Sequence, residues 1–154
     1  VPLPFDIDIA MIFPDWDKTG LHISALCARA LPAIIEQLTT PRLGELSIAL
    51  MDDAGIQTLN RTYRQSDKPT NVLSFPAPAP LLGDIVLALE TCQNEAADKR
   101  ITLEAHVTHL LIHGFLHLQG YDHITENEAL TMESLEITAL AQLGIDNPYE
   151  IREP

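Results

Sequence analysis

The sequence predicts an α+β fold in one domain covering residues 1–154, and three observations predict it. Segments with the two-residue alternation of strands gather in the first ninety positions, whereas long helical periodicities fill the rest. A chain of 154 residues, 46% of them apolar, is long enough to bury one substantial core. No internal repeat, low-complexity segment or linker composition divides it.

From the amino end, Phe5–Phe13 opens with apolar and polar residues alternating and reads as a strand, and Pro14, Asp15 and Gly20 mark a loop. Leu21–Leu38 sets Leu21, Ile23, Leu26, Cys27, Leu31, Ile34, Ile35 and Leu38 at helical spacing. Pro41 and Gly44 punctuate, and Glu45–Met51 alternates strongly enough for a strand. Asp53 suits the N-cap of a helix to about Tyr63, because a short carboxylate accepts from the orphan N–H groups of a first turn. Lys68-Pro69 opens a turn and Thr70–Phe75 reads as a strand closed by Pro76. Pro76, Pro78 and Pro80 then make an extended loop. Asp84–Glu90 is the next strand, and Thr91 is the expected cap of a helix to about Lys99. Ile101–Leu118 carries Leu103, Val107, Leu110, Leu111, Ile112, Phe115, Leu116 and Leu118 around its whole circumference, the mark of a buried helix. A last amphipathic helix, Glu126–Leu143, stops at Gly144.

The buried helix also carries the chemistry. His113 and His117 stand four apart, so their rings leave one helix face one turn from each other. Gly120 provides a left-handed stop, after which the chain can turn back and deliver His123. Three imidazoles with an open fourth position are the donor set of a catalytic zinc site. His106 and His109 lie on the same stripe one and two turns earlier, where packing or support is expected rather than ligation. Zinc peptidases with this spacing place a glutamate directly after the first histidine as general base; here that position is Gly114. Peptide hydrolysis is therefore disfavoured, although zinc alone lowers the pKa of a bound water to about 7. Asp122, next to His123, is read either as support for that ring or a water, or as an Asx-type turn after Gly120.

Charge sets a further bound. The net charge of −13 argues against a general nucleic-acid-binding surface. Yet Arg61, Arg64 and Lys68, three of nine basic residues, fall within eight positions. By itself such a cluster reads as solvated charge at a helix end, favoured there by the helix dipole. No apolar run approaches the ~18 residues of a membrane span. No basic stretch leads into an apolar one as in a secretory signal, and Cys27 and Cys92 suggest no disulfide framework. A cytoplasmic location without membrane partners is the expectation.

HGFLHLQGYDH at residues 113–123 resembles the signature H-G-x-L-H-L-x-G-Y-D-H of the YbeY family of rRNA-maturation endoribonucleases. LNRTYRQSDKPTNVLSFP at residues 59–76 is similar to that family's L-N-x-x-Y-R-x-x-D-K-P-T-N-V-L-S-F-P. LGDI at residues 82–85 and DNPY at 146–149 agree as well. The resemblance implies a small mixed β-sheet packed with helices, with the metal-binding helix at one end of a cleft. It implies a single-strand-specific metallo-endoribonuclease acting in 16S rRNA 3′-end maturation and ribosome quality control. The implied site has one Zn2+ per chain on His113, His117 and His123, with Arg64 as the functional basic residue on the scissile phosphate. Lys68, Asn71 and Ser74 are expected along the RNA groove, the alternative for each being turn and strand chemistry. The implied partners are single-stranded rRNA as substrate and the ribosome or its small-subunit proteins. Two rival readings remain at this level: a zinc peptidase, against which Gly114 counts, and a non-catalytic assembly factor whose structural zinc would need a fourth protein ligand such as Cys27 or Cys92.

Overall fold

A computed structural model describes residues 3–150. Among them four strands form one mixed sheet: β1 (Ile7–Met11), β2 (Glu45–Met51), β3 (Val72–Pro76) and β4 (Leu81–Ala88), in spatial order β1-β2-β4-β3. β2 lies parallel to both β1 and β4, whereas β3 pairs antiparallel with β4. Parallel neighbours need a crossover, and α1 (Ile23–Ile35) supplies the one between β1 and β2. The other helices are α2 (Asp53–Arg64), α3 (Leu89–Lys99), α4 (Leu103–Leu118) and α5 (Glu126–Gln142).

Strand alternation sorts side chains between two cores. Leu46, Ile48, Leu50, Ile85 and Leu87 join the main core with Leu31 and Ile34 of α1, Leu111 and Phe115 of α4 and Leu140 of α5. Val86 and Ala88 face the other way, where Ile56 of α2 meets them with Leu59, Leu73 and Phe75 at its edge. α4 is buried around most of its circumference, as its apolar pattern requires. No helix among the described residues is long and apolar enough to cross a membrane.

Several boundaries differ from the sequence reading. Pro14–Thr19 forms a short 3₁₀ helix instead of a loop; Pro14 fits its first turn and Trp16, buried, donates from Nε1 to the Met51 carbonyl at 2.8 Å. α1 is shorter at both ends than Leu21–Leu38. The cap of α2 is Asp52, whose Oδ1 accepts from the Gly55 N–H at 2.8 Å, and not Asp53. Asp53 reaches to α3 instead. Its Oδ1 accepts from the Thr91 N–H at 3.0 Å and the Thr91 hydroxyl at 2.8 Å, while its own N–H donates to Glu90 Oε1 at 2.8 Å. Thr91 is therefore inside α3, which starts at Leu89 straight off β4, and its orphan N–H is satisfied from another element.

β4 begins three residues earlier than expected and contains a bulge, with Glu45 opposite Leu81 but Leu46 opposite Gly83. Gly83 has φ 145°, and a Cβ there would lie 2.3 Å from the Phe75 carbonyl oxygen and 2.8 Å from Leu118 Cδ2. This glycine lets β3 and α4 close on the same point of β4, which brings α4 down onto the sheet.

Candidate metal centre

α4 runs from Thr102, whose Oγ accepts from the Ala105 N–H at 3.0 Å, to a reversal at Gly120. Gly120 takes φ 97°; its N–H reaches the His117 carbonyl at 3.0 Å and the Tyr121 N–H reaches the Leu116 carbonyl at 3.1 Å. Those two bonds are a Schellman closure, and they turn the chain back so that His123 meets the last turn of the helix. The His113, His117 and His123 rings each offer a nitrogen within 4.8 Å of the others. Ring centroids are 4.7 Å apart for His113 and His117, 5.1 Å for His117 and His123, and 5.5 Å for His113 and His123.

Hydrogen bonds fix which nitrogens face the centre. His117 Nδ1 lies 3.0 Å from the Tyr121 carbonyl, which only accepts, so Nδ1 carries the proton. His113 Nδ1 lies 2.9 Å from Glu136 Oε2 and donates to that carboxylate. Both Nε2 lone pairs therefore face inward, 3.1 Å apart. Two such lone pairs repel unless a proton or a cation lies against them, so the donor set fits a cation on chemical grounds. Burial, and then the neighbouring His113 and His123, hold the His117 pKa below its ordinary value, which favours the neutral ring a metal needs. Cys27 and Cys92 do not join this group. Both thiols are buried and pushed up to about 12 by that burial, which keeps them protonated.

Glu136 is the residue that the sequence reading missed. It comes from α5 and is fully buried. His109 Nε2 and the Tyr149 hydroxyl donate to its Oε1, each at 2.5 Å, while His113 serves Oε2. Burial alone would raise its pKa, but the bonds from His109, His113 and Tyr149 hold it down to about 2. The signal lay in the periodicity of α5: Met132, Glu136, Ala139 and Leu140 form its buried stripe, and a carboxylate among them requires partners. His109 is thus a support, and His106 packs in the core with Nε2 at 2.8 Å from Glu95 Oε1. Nδ1 of each of these two rings has no hydrogen-bond partner among the described residues.

Gly114 faces the sheet. A Cβ on it would sit 3.0 Å from Ser74 Oγ and 3.1 Å and 3.2 Å from two carbons of Ile85. The place where a peptidase would carry its glutamate is therefore packed against β3 and β4, away from the three histidines.

Arg64 ends α2, exposed to solvent, with Nη2 donating to the Ser74 carbonyl at 2.8 Å and its guanidinium 5.0 Å from the Phe75 ring centroid. Ser74 in turn donates from Oγ to the Gly114 carbonyl at 3.0 Å. One strand residue thus links Arg64 to the neighbour of His113. Ser74 is buried, with its hydroxyl engaged by the Gly114 carbonyl, which is the strand role named as the alternative to lining the groove. Asn71 is also engaged at both ends of its amide, donating to Glu95 Oε1 at 2.9 Å and accepting from the Val72 N–H at 2.7 Å. Lys68 is exposed, in a loop that Asn60 holds by donating to the Lys68 carbonyl at 3.0 Å. Arg61 pairs with Asp67 at 3.6 Å. Asp122 accepts from the N–H of the next residue, His123, at 2.8 Å, and its charge opposes the burial that lowers the neighbouring His117 pKa.

A family model described as Endoribonuclease YbeY matches residues 15–144. Relatives that carry the same name include one from Rhizobium etli, 54% identical over 94% of both chains. Another from Sinorhizobium fredii is 53% identical over 94% of this chain and 91% of its own. A third, from Rhizorhabdus wittichii, is 46% identical over 90% of each. A protein of Thermotoga maritima solved in solution shares the fold, with a TM-score of 0.57 at 21% identity over 96% of this chain and 97% of that one.

Proposed function

The chain belongs to the YbeY endoribonuclease family, and on that premise we propose that it is a zinc-dependent, single-strand-specific endoribonuclease of 16S rRNA 3′-end maturation. In this reading one Zn2+ per chain is held by His113, His117 and His123, and Arg64 is the catalytic residue. The observation that carries it is the convergence of three ring nitrogens within 4.8 Å, two of them with lone pairs fixed inward by Glu136 and the Tyr121 carbonyl. When bound, the metal supplies Lewis acidity toward a phosphoryl oxygen.

The rest is the work of this chain's own groups. Arg64 uses one of its N–H donors to anchor on Ser74, which leaves the other donors of the guanidinium to pair with phosphate oxygens as their charge grows. Its stacking on Phe75 and the bond to Ser74 restrict its rotamers, so less freedom is lost when substrate arrives. Lys68 adds a point charge along the same strand of RNA. In this reading the ribosome or its small-subunit proteins are the partners, as the family implies, and the setting is cytoplasmic.

The test measures zinc content and cleavage of a single-stranded RNA in wild type and Arg64→Ala. Wild type is expected to bind about one zinc and to cleave; the variant keeps its zinc and loses roughly 100-fold or more in cleavage. Its stability should fall by about 1–2 kcal/mol, since one part-buried hydrogen bond and the contact with the Phe75 ring are lost. Wild-type cleavage by the variant would remove Arg64 from the mechanism.

A further inference from the structure

The side chain that holds His113 from behind has a defined task. We propose that Glu136 is a positioning residue of the metal centre: it accepts a hydrogen bond from the Nδ1–H of His113, so that the Nε2 lone pair of that ring faces His117 and His123. His109 and Tyr149 in turn hold Glu136. This inference rests on the three-histidine site proposed above.

Geometry separates this task from direct ligation. His109, His113 and Glu136 also approach within 4.8 Å of one another and could in principle hold an ion. But each carboxylate oxygen already accepts from a donor, His109 and Tyr149 on Oε1 and His113 on Oε2. An ion there would have to displace those protons at a carboxylate with no solvent exposure. The His113 nitrogen aimed at the three-histidine group is the other one, Nε2. The buried negative charge then serves the centre through the ring. It fixes the tautomer and makes the imidazole a stronger donor.

The arrangement also predicts why an amide cannot replace the acid. Three donors converge on Glu136. A glutamine offers one accepting oxygen and one donating NH2. If the NH2 faces His113, that ring must switch its proton to Nε2, which blocks the ligand lone pair. If it faces His109 and Tyr149, His109 must move its proton to Nδ1, which has no partner among the described residues.

The experiment compares wild type, Glu136→Gln and Tyr149→Phe by chelator competition for zinc, by X-ray absorption on the zinc-loaded proteins, and by nitrogen NMR of the histidines without metal. Glu136→Gln is expected to weaken zinc binding by roughly 10- to 100-fold, with the same zinc content at saturation and the same three-imidazole shell. Tyr149→Phe removes one donor from Oε1 and leaves the His113 bond, so its loss should be the smaller of the two. In metal-free wild type His113 should carry its proton on Nδ1. Equal zinc affinity in wild type and Glu136→Gln would overturn the proposal, as would a wild-type His113 protonated on Nε2. A carboxylate oxygen in the wild-type zinc shell would make Glu136 a ligand and overturn it too. If Glu136→Gln does not fold, the wild-type tautomer and the Tyr149→Phe affinity decide. Absence of zinc from wild type would fail the site reading, and the His113 tautomer would still test the role of Glu136.

Discussion

Gly114 shows how one position bears on both packing and chemistry. A methyl group there would press on Ser74 Oγ at 3.0 Å and on Ile85 at 3.1 Å. Alanine gains about 1 kcal/mol of helix propensity, but overpacking of this kind costs about 1–3 kcal/mol. Gly114→Ala should therefore lose about 1 kcal/mol in chemical denaturation; a variant more stable than wild type would show that Ser74 and Ile85 yield freely. The three histidines were legible in the sequence because their relation is local: two share a helix face and a glycine stop brings in the third. Glu136 was not, since nothing near residue 136 in the chain announces that its partners are His109, His113 and Tyr149. For Ser74 and Asn71 the choice between groove and turn or strand chemistry stayed open, because a motif shows which residues matter without showing where their hydrogen bonds go.

Among elements, the junction of α2 and α3 is the place where the sequence reading failed most instructively. Asp53 and Thr91 each looked like the cap of its own helix, yet they serve each other, with Asp53 Oδ1 taking both donors of Thr91 at 3.0 Å and 2.8 Å. Replacing Asp53 with Ala strips a first-turn N–H and a hydroxyl of their acceptor, and should cost about 1–2 kcal/mol. Urea denaturation would measure it, and a loss of a few tenths would mean that water substitutes at this junction. The core of each helix and strand was readable from periodicity, since burial on one face or all round dictates it. The ends were not. Gly83 moves the start of β4 through a bulge, and Ala88 passes directly from strand to helix, so neither boundary carries a local punctuation mark.

Across the whole molecule, the α+β class was legible but the strand order was not. That β2 pairs parallel with both β1 and β4 depends on contacts between distant segments, which alternation cannot specify. Charge operates at the same scale. With a net charge of −13 and Arg61 paired to Asp67, only Arg64 and Lys68 of the basic cluster are left to neutralise phosphates. RNA affinity measured against salt should then have a shallow log–log slope, about −1 to −2. A slope of about −5 or steeper would place binding on another surface. The contact of Tyr149 with Glu136 has a meaning for the order in which the chain is made. Synthesis delivers His109, His113, His117, His123 and Glu136 before Tyr149. A nascent chain that has packed α5 onto α4 still lacks the hydroxyl that completes the buried carboxylate, and a ribosome that stops short of it releases a protein with the whole sheet and an unfinished centre.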